Sequence, residues 1–316
     1  MTNLQMLIGL PGSGKSTYAE NFLASNSGWL HISSDRIARS RFGADEEIDY
    51  REVFEEMYQQ TAAALAAGHH VLYDATNLAS TRRRSFLNRI GRPNAEAVVL
   101  RTSYSLLKER NRNRDSRERV PDHVLERYIR AFQFPRFNEG FTNARIISSK
   151  EPVSNAHAIK SIAVNSDATF ESIAELYSKL LETQAMHNWR HREPNAAASV
   201  IQHLFEVYKK VQSLTIEPEE KELLSWFALL HDIGKASIRK NRPFGEDNFH
   251  GHEHVSAYLA YQVLLSLNFS PAFIYDVTLL IDEHEEAKKM KQGKLKRRLG
   301  ERNHERMQIL LDLIGA

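Results

Sequence analysis

Gly9-Leu10-Pro11-Gly12-Ser13-Gly14-Lys15-Ser16, followed by Thr17, satisfies G-x-x-x-x-G-K-[ST] at every fixed position. An apolar run from Leu4 to Leu10, which predicts a strand, leads into it, and a helical pattern from Lys15 to Ala24 leads out. Glycines at these places let successive backbone N–H groups curl round an anion, and the helix N-terminus adds partial positive charge. Lys15 then bridges the phosphates and the Ser16 hydroxyl offers a ligand to Mg²⁺. Gly9, Pro11, Gly12, Ser13, Gly14, Lys15, Ser16 and Thr17 are therefore the expected nucleotide-binding set, with ATP and Mg²⁺ as cofactors. A chance glycine-rich turn is the competing account, and the flanking strand and helix argue against it.

Outward from this loop, apolar strands at Trp29 to Ser33, His70 to Tyr73, Ala97 to Arg101 and Arg145 to Ile147 alternate with helical stretches. Glu46 to Ala67 repeats Tyr50, Val53, Met57 and Thr61 at helical spacing. That alternation predicts an α/β domain, a parallel sheet with flanking helices. A Ser-, Asn- and Lys-bearing stretch with one Pro, Ser148 to Asp167, marks a boundary. Beyond it the periodicity is helical: Phe170 to Thr183, Ala197 to Val211, Glu219 to His231, Val255 to Leu267 and Pro271 to His284. The expected division is a P-loop kinase domain over 1–150, a linker and connecting helix over 151–185, and an all-α domain over 186–316.

The composition permits two domains, since 316 residues with 42% hydrophobic content can build two cores. With no cysteine, disulfides and thiolate metal sites are excluded, and any metal must sit on His, Asp or Glu. No run approaches the ~18 apolar residues of a membrane helix, and no signal-peptide pattern opens the chain, so a cytoplasmic protein without a membrane partner is expected. The net charge of +2 hides an uneven distribution: from Ala79 to Arg136 fifteen Lys or Arg face six Asp or Glu. A second basic run holds Lys288, Lys289, Lys291, Lys294, Lys296, Arg297 and Arg298. Such runs are commonly solvated helix faces, but beside a phosphate-binding motif they point to a polyanionic partner.

Four further segments narrow the acceptor. Ile32-Ser33-Ser34-Asp35 ends a strand on a carboxylate that can take a proton from an attacking hydroxyl; capping the helix that follows is the alternative. Asp74-Ala75-Thr76-Asn77 follows the next strand, at the sheet edge where open α/β folds bind ligands. Arg82-Arg83-Arg84 is the third. The fourth, Arg110 to Val120, carries Arg110, Arg112, Arg114, Arg117 and Arg119 before Pro121, a composition suited to a mobile lid over the transferring phosphate.

Gly9 to Thr17, Ser34-Asp35, Asp74 to Asn77, Arg110-Asn111, Val120-Pro121 and Val124-Leu125, in this order, resemble the phage-type polynucleotide 5′-hydroxyl kinase domain over residues 4 to 140. The resemblance implies that Lys15 and Ser16 handle ATP and Mg²⁺, that Asp35 is the general base, and that Arg114, with Arg110 and Arg117 in the same lid, stabilises the transferring group. Arg39, Asp74, Thr76 and Asn77 would contact the acceptor. The family's arginine three residues after the base is Ala38 here, flanked by Arg36 and Arg39, and the D-x-D-x-T phosphatase motif that commonly accompanies the kinase is absent from the sequence.

In the helical half, Leu229-Leu230-His231-Asp232-Ile233-Gly234-Lys235 places adjacent His and Asp at the end of an apolar helix. His203 lies upstream, and His252 and His284 downstream, with His250 and His254 also at hand. His203, His231, Asp232, His252 and His284 spread over four helices suit a divalent metal such as Mn²⁺, Ni²⁺ or Co²⁺, although any one of them alone is more often an ordinary core or surface histidine. From about Met186 onward the chain is similar to the HD phosphohydrolase superfamily, including the HD domains of tRNA nucleotidyltransferases. That family takes His203, His231 and Asp232 as ligands and adds an Asp from a late helix, where this chain has only Asp312, one turn early. Kinase and HD modules occur fused in RNA-repair proteins. The resemblance therefore implies a bifunctional enzyme that phosphorylates 5′-hydroxyl ends of RNA or DNA and removes 2′,3′-cyclic or terminal phosphates, with a ligase acting downstream. A nucleoside or nucleotide kinase fused to an HD nucleotidase, and an ATPase with a non-catalytic HD module, are the alternatives. Nothing in the sequence bears on oligomeric state.

Overall fold

The computed structural model describes residues 3–42, 47–102, 104–114, 119–148, 156–182, 194–235 and 251–315. The chain forms two compact units. One comprises residues 1–102, 106–128 and 135–149; the other comprises 103–105, 129–134 and 150–316.

The first unit is a parallel five-stranded sheet: β1 (Leu4–Ile8), β2 (Trp29–Ser33), β3 (His70–Asp74), β4 (Ala95–Arg101) and β5 (Asn143–Ser148), in the order β2-β3-β1-β4-β5. Every residue of β1 and β4 is buried, as strands covered on both faces require. Helices α1 (Lys15–Ser25), α2 (Ser34–Arg41), α3 (Tyr50–Ala66), α4 (Ser80–Arg89), α5 (Tyr104–Arg112) and α6 (Asp122–Ala131) fill the connections. The α/β expectation is met. Asp49 caps α3 by accepting from Arg51 N, so this helix begins four residues later than its apolar spacing suggested.

The second unit is helical: α7 (Ala156–Ala163), α8 (Phe170–Glu182), α9 (Pro194–Gln212), α10 (Pro218–Leu230), α11 (His252–Ser266), α12 (Pro271–Ala287), α13 (Gln292–Leu299) and α14 (Glu301–Ile314). The stretch read as a boundary contains α7, which buries Ile159 and Ala163. α14 is docked through Arg306, whose guanidinium pairs with Glu220 on α10 and, at 2.7 Å, with Asp276 on α12. No helix among the described residues is long and apolar enough to cross a membrane.

Candidate phosphate-transfer and metal centres

The phosphate loop leaves the central strand of the sheet and opens α1. Gly14 is the residue before α1 and adopts φ +92°, a left-handed conformation that a side chain would strain. Gly9 N donates to Thr76 O at 3.1 Å, and Thr102 Oγ1 donates to Ser13 O at 3.2 Å, so neighbouring strand ends hold the loop open. Lys15 Nζ donates to Gly9 O at 3.0 Å and Leu10 O at 2.9 Å, folded back over its own loop. Burial lowers its pKa to about 8, opposed by the carboxylates of Asp74 and Asp35 and reinforced by Arg114. Those three charges, from the end of β3, the first turn of α2 and the segment after α5, thus act on the loop lysine. Ser16 and Thr17 stand exposed at the start of α1.

Asp35 lies in the first turn of α2 and is exposed; Ser33 occupies the capping position, so capping is not Asp35's role. Arg39 is exposed beside it, while Ala38 is buried. Asp74 is buried, and its Oδ2 lies 3.1 Å from His31 Nε2, a neighbour on β2 that no sequence motif marks. Thr76 gives its carbonyl to the phosphate loop. Asn77 has φ +49° and donates from its amide to Leu7 O at 2.7 Å and Ala75 O at 3.3 Å, bracing the turn after β3.

Two features differ from the expected basic surface. Arg83 is fully buried, donating to Glu139 at 2.6 and 2.8 Å and to the carbonyls of Asn77 and Leu78, so it is a structural brace between exposed Arg82 and Arg84. Arg110 and Arg112 belong to the last turn of α5 and not to a loop, and Arg110 Nη1 donates to Gly12 O at 3.1 Å, directly on the phosphate loop. Asn111 clasps the base of the following segment, exchanging bonds of 2.6 and 2.9 Å with the backbone of Val120. Arg114 lies just beyond this clasp's helix; Arg117 lies outside the described residues.

In the helical unit, Asp232 sits just past the end of α10 and is buried. Gly234 lets α11 come close, because a Cβ there would stand 2.5 Å from His252 O and 2.6 Å from Ser256 N. His203 (α9), His231, Asp232, His252 (α11) and His284 (α12) are brought together. The candidate ligand atoms of His203, His231 and Asp232 all lie within 4.8 Å of one another, and so do those of Asp232, His252 and His284. His231 Nδ1 lies 3.0 Å from Ala228 O, and His284 Nδ1 2.7 Å from Ile281 O. Those backbone bonds turn each Nε2 toward Asp232, the arrangement that metal-bound imidazoles keep. Burial lowers the pKa of His203 and takes that of His231 down to about 3, leaving neutral donors. Against the cost of its own burial, His284 is pushed up to about 9 by Asp232 and Glu285. Asp232 is itself held well below the usual carboxylate range, despite burial, by His252 and His284. An all-N/O set converging in this way fits a divalent cation of the Mn²⁺ to Zn²⁺ series.

The structure places the late-helix carboxylate in solvent. Asp312 is exposed, while Asn303, Arg306, Met307 and Leu310 form the buried face of α14. Glu285, which no sequence motif marks, instead lies 3.3 Å from His284 Nε2. His254 is committed to Asp282 at 2.7 Å, and His250 lies outside the described residues.

Residues 4–135 match the family model described as an AAA domain, and residues 200–314 match that of the HD domain. The chain joins an AAA domain to an HD domain. An A-adding tRNA nucleotidyltransferase of Deinococcus radiodurans is 36% identical over 74 residues, 23% of this chain and 17% of that protein. A protein of Acanthamoeba polyphaga mimivirus, named as a bifunctional polynucleotide phosphatase/kinase, is 25% identical over 151 residues, 45% of this chain and 32% of its own. A solved Pnkp1/Rnl/Hen1 RNA repair complex aligns with TM-score 0.38 and 23% identity over 41% of this chain and 43% of that one. The chain thus spans a third or less of the length of these two curated relatives.

Proposed function

We propose that this AAA–HD chain heals broken nucleic-acid ends, phosphorylating 5′-hydroxyls with ATP in its first unit and removing 2′,3′-cyclic or terminal phosphates in its second. The observation that carries the reading is the parallel order β2-β3-β1, which brings Asp35, just after β2, and Asp74, at the end of β3, to the sheet edge where the loop of Lys15 leaves β1. A hydroxyl-directed phosphotransferase needs a phosphate-gripping cation, a carboxylate to accept the hydroxyl proton, and a mobile cation for the charge developing on the transferred group. Lys15, Asp35 and Arg114 fill these roles, with Ser16 as a ligand of Mg²⁺ and Arg110 fixing the loop. Exposed Arg36, Arg39, Arg82 and Arg84 suit a polyanionic acceptor better than a monomeric one. Arg39 grips the acceptor's phosphate, and Asp74, held by His31, orients the acceptor through the turn carrying Thr76 and Asn77. The likeness to the mimiviral polynucleotide phosphatase/kinase supports this half.

In the second unit His203, His231 and Asp232 would hold a divalent ion, joined by His252 and His284. When bound, the ion supplies an activated hydroxide and charge neutralisation at the phosphate. The side chains fix its place: Asp232 contributes the buried anion, and the backbone-bonded imidazoles of His231 and His284 hold their Nε2 atoms toward it. Mn²⁺, Ni²⁺ or Co²⁺ fits the donors, and the product ends suit a ligase acting next.

The acceptor class is tested by offering the protein, with ATP and Mg²⁺, a 5′-hydroxyl oligonucleotide and a nucleoside or 3′-mononucleotide at equal concentration. The oligonucleotide should be phosphorylated with the higher kcat/KM. A preference for the monomer would replace this reading with a nucleotide kinase.

A further inference from the structure

We propose that the Tyr50 ring is the stacking platform for the 5′-terminal base of the acceptor strand, and so a specificity-determining residue of the first unit. The proposal rests on the acceptor reading given above and deepens it.

Tyr50, Val53, Met57 and Thr61 form one stripe of α3 at spacings of three and four residues. Val53, Met57 and Thr61 are fully buried, as a stripe laid against the sheet should be, but Tyr50 at its start is 55% exposed. Four large hydrophobic side chains are exposed among the described residues, and two of them, Ile48 and Tyr50, lie together at this helix start.

Local structure fixes where the ring stands. Asp49 Oδ1 accepts from Arg51 N at 2.8 Å and caps the first turn of α3. Arg41, the last residue of α2, pairs with Glu52 at 2.8 Å and with Glu56 at 3.5 Å, holding that turn against α2. The same α2 presents Asp35 in its first turn and carries exposed Arg36 and Arg39. Partial burial raises the pKa of Tyr50, and the Asp35 carboxylate and then Tyr128 on α6 raise it further, so the ring stands within electrostatic reach of both.

An acceptor that brings its 5′ oxygen to Asp35 and its next phosphate to the arginines must set its terminal base against a surface a sugar's width away. Every base has a π-face, so an exposed ring beside cations takes a terminal nucleotide without reading its sequence. The cations of α2 favour a nucleotide over an apolar protein surface as what covers the ring.

The test offers the full chain, with ATP and Mg²⁺, two 5′-hydroxyl oligonucleotides that differ only in the first residue, one ordinary and one abasic. On the ordinary acceptor, Tyr50→Ala should raise KM by about five- to a hundredfold with kcat changed much less, while Tyr50→Phe stays within about twofold of wild type. Wild type should lose a similar factor on the abasic acceptor, and Tyr50→Ala should cost nothing further there. Without ATP and at saturating protein, 2-aminopurine as the first base should lose fluorescence on wild type and not on Tyr50→Ala, a reading that needs no turnover. Equal KM effects of Tyr50→Ala on both acceptors, a loss in kcat alone, or no difference in fluorescence between wild type and variant overturns the proposal and leaves Tyr50 a surface residue. Quenching on wild type with no oligonucleotide phosphorylated leaves the platform standing and overturns the kinase reading instead.

Discussion

In the phosphate loop, the candidate ligand-binding groups lie within eight consecutive residues, held by bonds to adjoining strand ends. In the histidine cluster they are side chains drawn from positions 203 to 284, and their meeting depends on helix packing: Gly234 against α11, the Tyr177 hydroxyl on Leu229 O, and Arg306 across α10 and α12. The first site is built by local conformation and the second by tertiary structure. The loop should therefore keep its shape whenever the sheet is intact, whereas the cluster should fail with any change that separates its helices.

The largest effects should divide cleanly between the two. Lys15→Ala should lower phosphoryl transfer by about 10²–10⁴ while metal content and phosphoesterase activity stay at wild-type level. Asp232→Ala removes the donor common to both ligand groups, so bound metal should fall below one ion per chain while the kinase is unaffected. Metal analysis and end-labelling of the two variants read both outcomes, and cross-loss would break the division.

Gly234→Ala sharpens the contrast. The added Cβ meets backbone at 2.5 and 2.6 Å, so α11 must shift and His252 with it. Metal affinity should drop at least tenfold although no ligand is altered, and a titration with unchanged affinity would show that the cluster does not depend on this close approach. A comparable long-range dependence in the first unit is the buried Arg83–Glu139 pair. Arg83→Ala strands a buried carboxylate and should cost about 3–5 kcal/mol in urea unfolding, against about 0.5 or less for exposed Arg84→Ala.

Smaller effects concern the loop's charges. Arg114→Ala should reduce kcat more than it weakens ATP binding, and Arg112→Ala should mainly weaken oligonucleotide binding and its salt dependence; equal effects would mean a diffuse basic surface. Lys15 gives a pH signature. Its pKa of about 8 means that it is charged below that value and loses its proton above it. Bound phosphates favour the ammonium, so ATP binding should take up a proton above pH 8. Affinity should thus be full below pH 8 and weaken as pH rises past it, by up to about tenfold per unit, in wild type but not in Lys15→Ala.

The loop, the parallel sheet and the His231-Asp232 pair were legible in the sequence because they rest on contiguous motifs or on strong periodicity, whereas His203, His252 and His284 were singled out through the HD resemblance. The bracing roles of Arg83 and Asn77 were not legible because their partners, 56 and 70 residues away, cannot be seen from local pattern. Helices α4 and α5 were hidden by their arginines, which blur the apolar period. Glu285 belongs to no motif, and only the packing of α11 against α12 sets it by His252. Asp312 failed for the opposite reason: the register of α14 turns positions 303, 306, 307 and 310 inward and leaves 312 in solvent.

The most direct test of two phosphate chemistries in one chain uses a single RNA bearing a 5′-hydroxyl and a 2′,3′-cyclic phosphate, incubated with ATP, Mg²⁺ and Mn²⁺ and weighed by mass spectrometry. The RNA should gain a 5′-phosphate and lose its cyclic phosphate, the first change failing in Asp35→Ala and the second in Asp232→Ala. An RNA recovered with both ends unaltered by the wild-type protein, or one whose two changes fail together in either variant, would contradict the account.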